Sequence, residues 1–329
     1  MALGEFGLIA KYFQRPARQA VLGVGDDCAL LAPTPGTHLA ISSDMLVQGR
    51  HFFADVDPRT LGHKALAVNL SDLAASGATP RAFTLALALP QVDENWLQAF
   101  AAGLFALAET HDCELIGGDT TQGPLNICIT VFGDVPAGQA LLRSGALPGD
   151  DIYASGTLGD ARLALEALLG HITLPAEVLA AARQRLESPT PRVALGTALR
   201  GIASSALDIS DGLLGDLSHI LEASQVGAEL ELAASTRLMA ASVLWAGDAP
   251  LLGQKLLQQC TLSGGDDYEL CFTAPVSARA AVQAAAVSAN TAVHRIGRIT
   301  AQPGLRVLDE QGQALDLTQL RSFDHFANS

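Results

Sequence analysis

The chain of 329 residues lacks most of the features that announce a compartment or a chemistry. It has only three lysines, Lys11, Lys64 and Lys255, and its 20 basic residues face 34 acidic ones, a formal net charge of −14. That balance argues against a nucleic-acid partner, which calls for a basic face. An anionic substrate meets an unfavourable field, but salt screens it within about 8 Å, and a bound cation reverses its sign locally. The five cysteines form no CxxC pair and no zinc spacing, and fit reduced thiols in a cytoplasmic protein. No apolar run approaches the roughly 20 residues of a membrane-spanning helix, so no membrane partner is expected. The mean hydropathy of +0.28 is carried largely by alanine. Residues 1–6 lack a basic stretch followed by an apolar one, the pattern of a secretory signal, and a cytoplasmic location is expected. Also missing are the phosphate loops GxxxxGKS/T and GxGxxG, the zinc motif HExxH and the nucleophile elbow GxSxG. No repeat with a period of 20–50 residues is visible.

The length predicts two domains. Leu147-Pro148-Gly149-Asp150 reads as a turn between them, dividing the chain into 1–148 and 149–329. In the first part, helices are expected over 4–13, 58–77 and 94–110, the last with Leu97, Phe100, Leu104 and Leu107 on one face. Strands are expected at 29–31, 38–42, 82–89 and 113–116. Another is expected where Leu125, Ile127, Ile129 and Val131 alternate with polar neighbours. The second part reads as strands near 152–154, 206–208, 228–232, 268–273, 293–299 and 305–308. Its helices fall near 161–169, 176–186, 192–200, 213–221 and 278–289, with helical pieces before 259. Antiparallel-looking neighbours favour an α+β architecture of two α/β-type domains over a doubly wound parallel sheet.

What the chain does have is eight aspartates at short sites rich in glycine or small residues. They are Asp26 and Asp27 in Gly23-Val24-Gly25-Asp26-Asp27, Asp44 after Ser42 and Ser43, Asp72 in Asn69-Leu70-Ser71-Asp72, and Asp119 in Gly117-Gly118-Asp119-Thr120-Thr121. Asp208 and Asp211 stand in Asp208-Ile209-Ser210-Asp211-Gly212, and Asp266 in Ser263-Gly264-Gly265-Asp266-Asp267. Each has an ordinary reading: a surface turn, a strand-end cap, a solvated helix face, or, for Ser210 or Asp211, the N-cap of the helix that follows. Together they pose an electrostatic problem. Two carboxylates about 5 Å apart cost roughly 3 kcal/mol at an effective dielectric of about 20. A fold that gathers several needs cations, and hard divalent ions carrying phosphates suit oxygen donors. Asn69, Asp72 and Ser76 share one helix face by their spacing. With every other phosphate device missing, chemistry at these sites runs through metal-bound oxygens and positioning, as in phosphoryl transfer.

In order and spacing, GVGDD, SSDMLVQGRHF, NLSDLAASGA, GGDTT, RSGALPGD, DISDGL and GGDDYEL resemble the thiamine-monophosphate kinase family of the AIR-synthase-like superfamily, nearly end to end. The resemblance implies transfer of the γ-phosphoryl of ATP onto thiamine monophosphate with several Mg2+ ions, by direct in-line displacement and without a general base. It implies an N-terminal domain for metal, ATP and dimerisation, which pairs across a homodimer into a β-barrel, and a C-terminal domain that completes the active site. It assigns Asp27, Ser42, Ser43, Asp44, Asp72, Asp119, Asp208 and Asp211 to Mg2+. Gly118, Asp119, Arg143 and Ser210 go to ATP, and His51, Asp266 and Phe323 to the substrate. Asp266 stands where the family usually has Glu, and Ser43 where Thr is common. Sibling activities of the superfamily, on other phosphorylated acceptors, and a non-catalytic nucleotide or metal sensor are the alternatives.

Overall fold

A computed structural model describes residues 4–241 and 252–320. The chain divides into two compact units. Unit 1 comprises Met1–Leu73 and Ala78–Ala140, and unit 2 comprises Ala74–Gly77 and Leu141–Ser329.

Unit 1 opens with a helical turn, α1 (Glu5–Leu8), that runs into a π-helical turn over Ile9–Phe13. Its sheet has the order β1-β4-β2-β3, from β1 (Thr37–Val47), β2 (Thr79–Leu89), β3 (Glu114–Gln122) and β4 (Asn126–Pro136). β4 runs antiparallel to β1 and β2, and β3 is parallel to β2. Along β4, Ile127, Ile129 and Val131 are buried in alternation with half-exposed neighbours, as the pleat requires. Helices α2 (Pro58–Ala75) and α3 (Glu94–Thr110) supply Leu66, Leu70, Leu97, Phe100 and Leu104 to the core. The two helices touch backbone to backbone. A Cβ at Gly62 would lie 2.0 Å from the Phe100 carbonyl oxygen, and one at Gly103 1.8 Å from that of Arg59. Asp93 caps α3 by accepting the N–H groups of Asn95 and Trp96.

Three sequence expectations change. Residues 29–31 form no strand; Leu30 makes only an isolated bridge to Leu22, and its side chain is exposed, so no apolar face fixes a ladder there. The strand expected over 38–42 runs on to Val47 because β4 offers it an unbroken partner. The strand expected to end at Ile116 continues to Gln122, carrying Gly117-Gly118-Asp119 within it. The β2–β3 register shifts at Phe83/Thr84, and a Cβ at Gly118 would lie 1.9 Å from the Leu85 carbonyl oxygen, so only glycine lets the ladder continue.

Unit 2 has a six-stranded sheet in the order β10-β7-β9-β5-β8-β6. The strands are β5 (Asp151–Ser155), β6 (Ser205–Ile209), β7 (Gly227–Glu231), β8 (Glu269–Ala274), β9 (Val293–Thr300) and β10 (Gly304–Leu308). Only the β10–β7 pair is parallel. Helix α7 (Leu213–Ser224) sets Leu213, Leu217 and Ile220 in a core with Ile152, Leu207, Ile209, Ile296 and Val307. β5 and β8 are buried along their whole length, and Tyr153 stacks on Phe272 at 5.1 Å. A second cluster joins α4 (Asp160–Leu168), α5 (Ala176–Glu187) and α9 (Gln254–Ser263); α6 (Val193–Ala198), α8 (Leu232–Thr236) and α10 (Arg279–Ser288) are the other α-helices among the described residues of the unit. Both sheets are mainly antiparallel with helices, the mixed architecture expected. Among the described residues no helix is long and apolar enough to cross a membrane.

Two buried carboxylates in unit 2 are matched by arginines. Glu269 accepts from Arg185, Arg192 and the Ser155 hydroxyl. Asp151 is clamped by Arg279 and Arg295, and the Arg279 guanidinium holds its carboxyl down at about 2. A depressed carboxyl stabilises the fold above its unfolded value near 4, and the contribution is lost as pH falls toward 2. Thermal melts of the wild type should therefore lose stability between pH 4 and pH 2 more steeply than melts of Asp151→Asn, which has no such proton to take up.

Candidate active site

In unit 1 the first acidic loop and the glycine-bearing strand line one cleft of about 740 Å³. Asp26, Asp27, Gly118 and Asp119 are among its lining, and Phe6, Ile9 and Phe13 supply apolar surface. Gly25, at φ +130°, turns the loop so that the exposed Asp26 and Asp27 follow it directly. A buried acid outside the motifs ties the cleft together. Glu114, at the start of β3, accepts the N–H groups of Arg18 and Gln19 on Oε1 at 2.6 and 2.8 Å, and that of Ala20 on Oε2 at 3.1 Å. It thereby fastens the segment leading into Gly23–Asp27 to the strand that carries Asp119. The N-terminal wall is held at α3, where Lys11 pairs with Glu94 and the Tyr12 hydroxyl donates to it at 2.9 Å. The Arg15 guanidinium lies 4.3 Å from the centre of the Phe105 ring.

A second polar group forms where α2 meets β1. The Ser42 hydroxyl donates to Asp72 Oδ2 at 2.5 Å, and the Asp44 N–H donates to Asn69 Oδ1 at 3.0 Å. The predicted stripe of Asn69 and Asp72 thus exists and faces β1. Ser76 does not join it: the residue lies past the end of α2, and its carbonyl accepts the Leu141 N–H in unit 2. Ser43 points the other way. Its hydroxyl lies 3.0 Å from Thr130 Oγ1 and donates to the Ile129 carbonyl, because successive side chains of a strand leave opposite faces. His51 folds back onto β1, and its Nδ1 accepts the Val47 N–H at 3.0 Å, which places the ring proton on Nε2.

Unit 2 carries the remaining sites. Asp208 is the penultimate residue of β6, and Ser210 and Asp211 follow the strand, all three partly exposed. Neither Ser210 nor Asp211 caps α7. The N-cap is Gly212, at φ +118°. The capping duty falls to Asp216 in the first helical turn, whose Oδ2 accepts the N–H groups of Ser210, Asp211 and Gly212, each at 3.0 Å. Burial pushes its carboxyl up to about 7, with the neighbouring Asp211 charge adding to the rise and the three N–H bonds opposing it. Asp266 sits in left-handed backbone (φ +65°) and accepts the Tyr268 hydroxyl. The next acid, Asp267, is buried and takes the Gly159 N–H on both oxygens. Arg143 is exposed on a loop pinned to Ser224, whose hydroxyl accepts the Gly145 and Ala146 N–H groups and donates to the Arg143 carbonyl. Phe323 lies outside the described residues. Among the described residues, no three of the His, Cys, Asp and Glu side chains gather closely enough to hold a metal ion. Sequence reasoning passed over Glu114 and Asp216; for Asp216 the available signal was an acid in the first turn of a helix that follows a glycine.

Two mixed domains, each presenting acids at glycine turns, define a protein of the AIR synthase related class. Residues 25–135 match the AIR synthase related protein N-terminal domain, and 146–310 match its C-terminal domain. The chain is 48% identical over 337 residues to the thiamine-monophosphate kinase of Salmonella typhimurium (strain LT2), covering 99% of each. The crystal structure of thiamine-monophosphate kinase from Stenotrophomonas maltophilia K279a superposes with a TM-score of 0.82 at 44% identity, covering 94% of this chain and 95% of that one. A structure of AaThiL complexed with AMPPCP and TMP superposes at 0.75 with 27% identity, covering 90% and 89%. The chain belongs to the thiamine-monophosphate kinase family and is an enzyme of it.

Glu114→Ala would strand three backbone N–H groups and should lower stability by about 3 kcal/mol, whereas Glu114→Gln, which still accepts, should lose less than half of that. Chemical denaturation of the two variants beside the wild type measures the difference.

Proposed function

We propose that the chain transfers the γ-phosphoryl group of ATP to thiamine monophosphate, releasing thiamine diphosphate and ADP. The relative complexed with AMPPCP and TMP supports this pair of substrates. The observation that carries the reading in this chain is the cleft that Asp27 lines together with Gly118 and Asp119 of β3. It is a glycine-backed acidic recess with an apolar wall, and among the described residues that line it there is no lysine or arginine. Such a recess receives phosphates only with a counter-cation, and its donors suit Mg2+: carboxylates and hydroxyls, all hard oxygens, with no thiolate among them. Asp27, Ser42, Asp44, Asp72, Asp119, Asp208 and Asp211 are the proposed ligands, directly or through water; Ser43, expected with them, is set aside because its hydroxyl leaves the opposite face of β1. Once bound, Mg2+ would neutralise charge on the phosphate oxygens.

The protein's own part is positioning. Gly118 lets backbone approach the nucleotide, while Asp119, Arg143 and Ser210 orient it; the guanidinium fork of Arg143 matches phosphate oxygens. His51 and Asp266 bound the acceptor, as would Phe323, whose aromatic face suits a cationic thiazolium. The acceptor oxygen is already ionised at neutral pH, so no side chain has to remove a proton, and direct in-line transfer needs no covalent enzyme intermediate.

The partner is a second copy of the chain. Leu39, Ile41 and Met45 project from the face of β1 opposite Ser42 and Asp44, each more than half exposed. An apolar row of this kind on an open sheet suits pairing with its own copy, and fits the barrel expected of the family.

Purified protein with ATP, Mg2+ and thiamine monophosphate should form thiamine diphosphate, followed by chromatography, with no label left on the protein from γ-labelled ATP. Asp72→Asn and Asp119→Asn should each lower kcat about a hundredfold or more without lowering the ligand-free Tm. Turnover of a different phosphorylated acceptor, with none of thiamine monophosphate, would move the assignment to a sibling activity. Light scattering should give the mass of a dimer for the wild type, and Ile41→Asp should shift it toward the monomer.

A further inference from the structure

The turn between β6 and α7 has its backbone occupied on both sides. The N–H groups of Ser210, Asp211 and Gly212 converge on Asp216 Oδ2 at 3.0 Å each. The carbonyl of Ile209 accepts the Tyr268 N–H and that of Ser210 accepts the Asp266 N–H, both at 2.8 Å, while that of Gly212 accepts the Asp216 N–H at 3.0 Å. Packing closes the remaining space. A Cβ at Gly265 would lie 2.3 Å from the Ser210 carbonyl oxygen, and one at Gly212 2.7 Å from the carbonyl carbon of Ser263. Asp216 is 5% exposed, whereas Asp208, Ser210 and Asp211 are partly exposed.

A strand that ends in a glycine turn with three convergent amides at the start of a 12-residue helix is a ready anion site. In many proteins such a cradle takes a phosphate. Here a carboxylate of the same chain fills it, and the charge that would attract a phosphate is already spent. We propose that Asp216 is the positioning residue of this turn: by filling the amide cradle it fixes the directions of Asp208, Ser210 and Asp211, so that substrate phosphates meet the turn through those side chains and not through its backbone. The inference rests on the phosphoryl transfer proposed above. Displacement of reacting groups by about 1 Å can cost about a hundredfold in rate, so the loss falls on kcat, while the acceptor's affinity, set by other residues, stays put.

The test compares full-length Asp216→Ala and Asp216→Asn with the wild type. In Asp216→Ala, kcat should fall about tenfold or more with KM for thiamine monophosphate held within about twofold. Added sodium formate, a carboxylate small enough for the vacated cradle, should restore part of the rate. Asp216→Asn, whose amide oxygen still accepts, should keep about a third or more of the wild-type kcat and gain nothing from formate. Backbone amide exchange at 210–212 should be faster in Asp216→Ala and slowed again by formate. A kcat for Asp216→Ala within about twofold of wild type would overturn the proposal. So would an Asp216→Asn as impaired as the alanine variant together with no response to formate. If Asp216→Ala does not fold, Asp216→Asn decides: protected 210–212 amides with retained kcat support the proposal, and loss of both overturns it. If the wild type does not turn over thiamine monophosphate, the functional reading fails on its own, and amide exchange still decides whether Asp216 holds the turn.

Discussion

Buried carboxylates neutralised by backbone N–H groups are the interaction on which the rest depends. With three lysines and a net charge of −14, the chain cannot balance its interior acids with ammonium groups. It uses the main chain instead. Glu114 gathers three amides, Asp216 three more, Asp160 those of Ala240 and Ala241, and Asp267 that of Gly159. Each bond satisfies a donor that would otherwise be left stranded outside the ladders of the sheets. Glu269 and Asp151, both in strands of the larger sheet, each take two arginines, and Glu114 adds the Arg18 guanidinium at 3.4 Å to its three amides.

This division of labour separates two populations of acid. Those that hold the fold are buried and have their partners within the chain. Those proposed for metal and nucleotide keep their carboxylates partly or fully open, Asp27 and Asp211 in glycine turns and Asp119 within β3 after Gly117-Gly118. The segment leading to Asp27 and the turn carrying Asp211 are thus fixed by other acids, Glu114 and Asp216. The family motif GGDDYEL shows both within one stretch: Asp266 is partly exposed, while Asp267 and Glu269 are buried and bonded to Gly159 and to two arginines.

Much of the architecture was legible from periodicity. Helix α3 spans the predicted 94–110, and β4 alternates as its apolar residues do. Periodicity failed where a neighbour decided the outcome. The extension of β3 through Gly117-Gly118-Asp119 depends on the Leu85 carbonyl pressing against a residue without a side chain. The absence of a strand at 29–31 reflects an exposed Leu30 that nothing covers. At the candidate site, the shared face of Asn69 and Asp72 followed from their spacing, whereas its pairing with β1 did not. The opposed directions of Ser42 and Ser43 required the strand's facing to be known.

The residues by themselves determined the family, the acid-and-glycine chemistry and the order of the elements, because those are properties of local pattern and composition. Tertiary structure alone decided which acids serve the fold. Asp211 and Asp216 are five positions apart and look alike in one dimension, yet Asp216 turns inward, since its position on α7 brings its carboxylate beneath the three amides of the preceding turn.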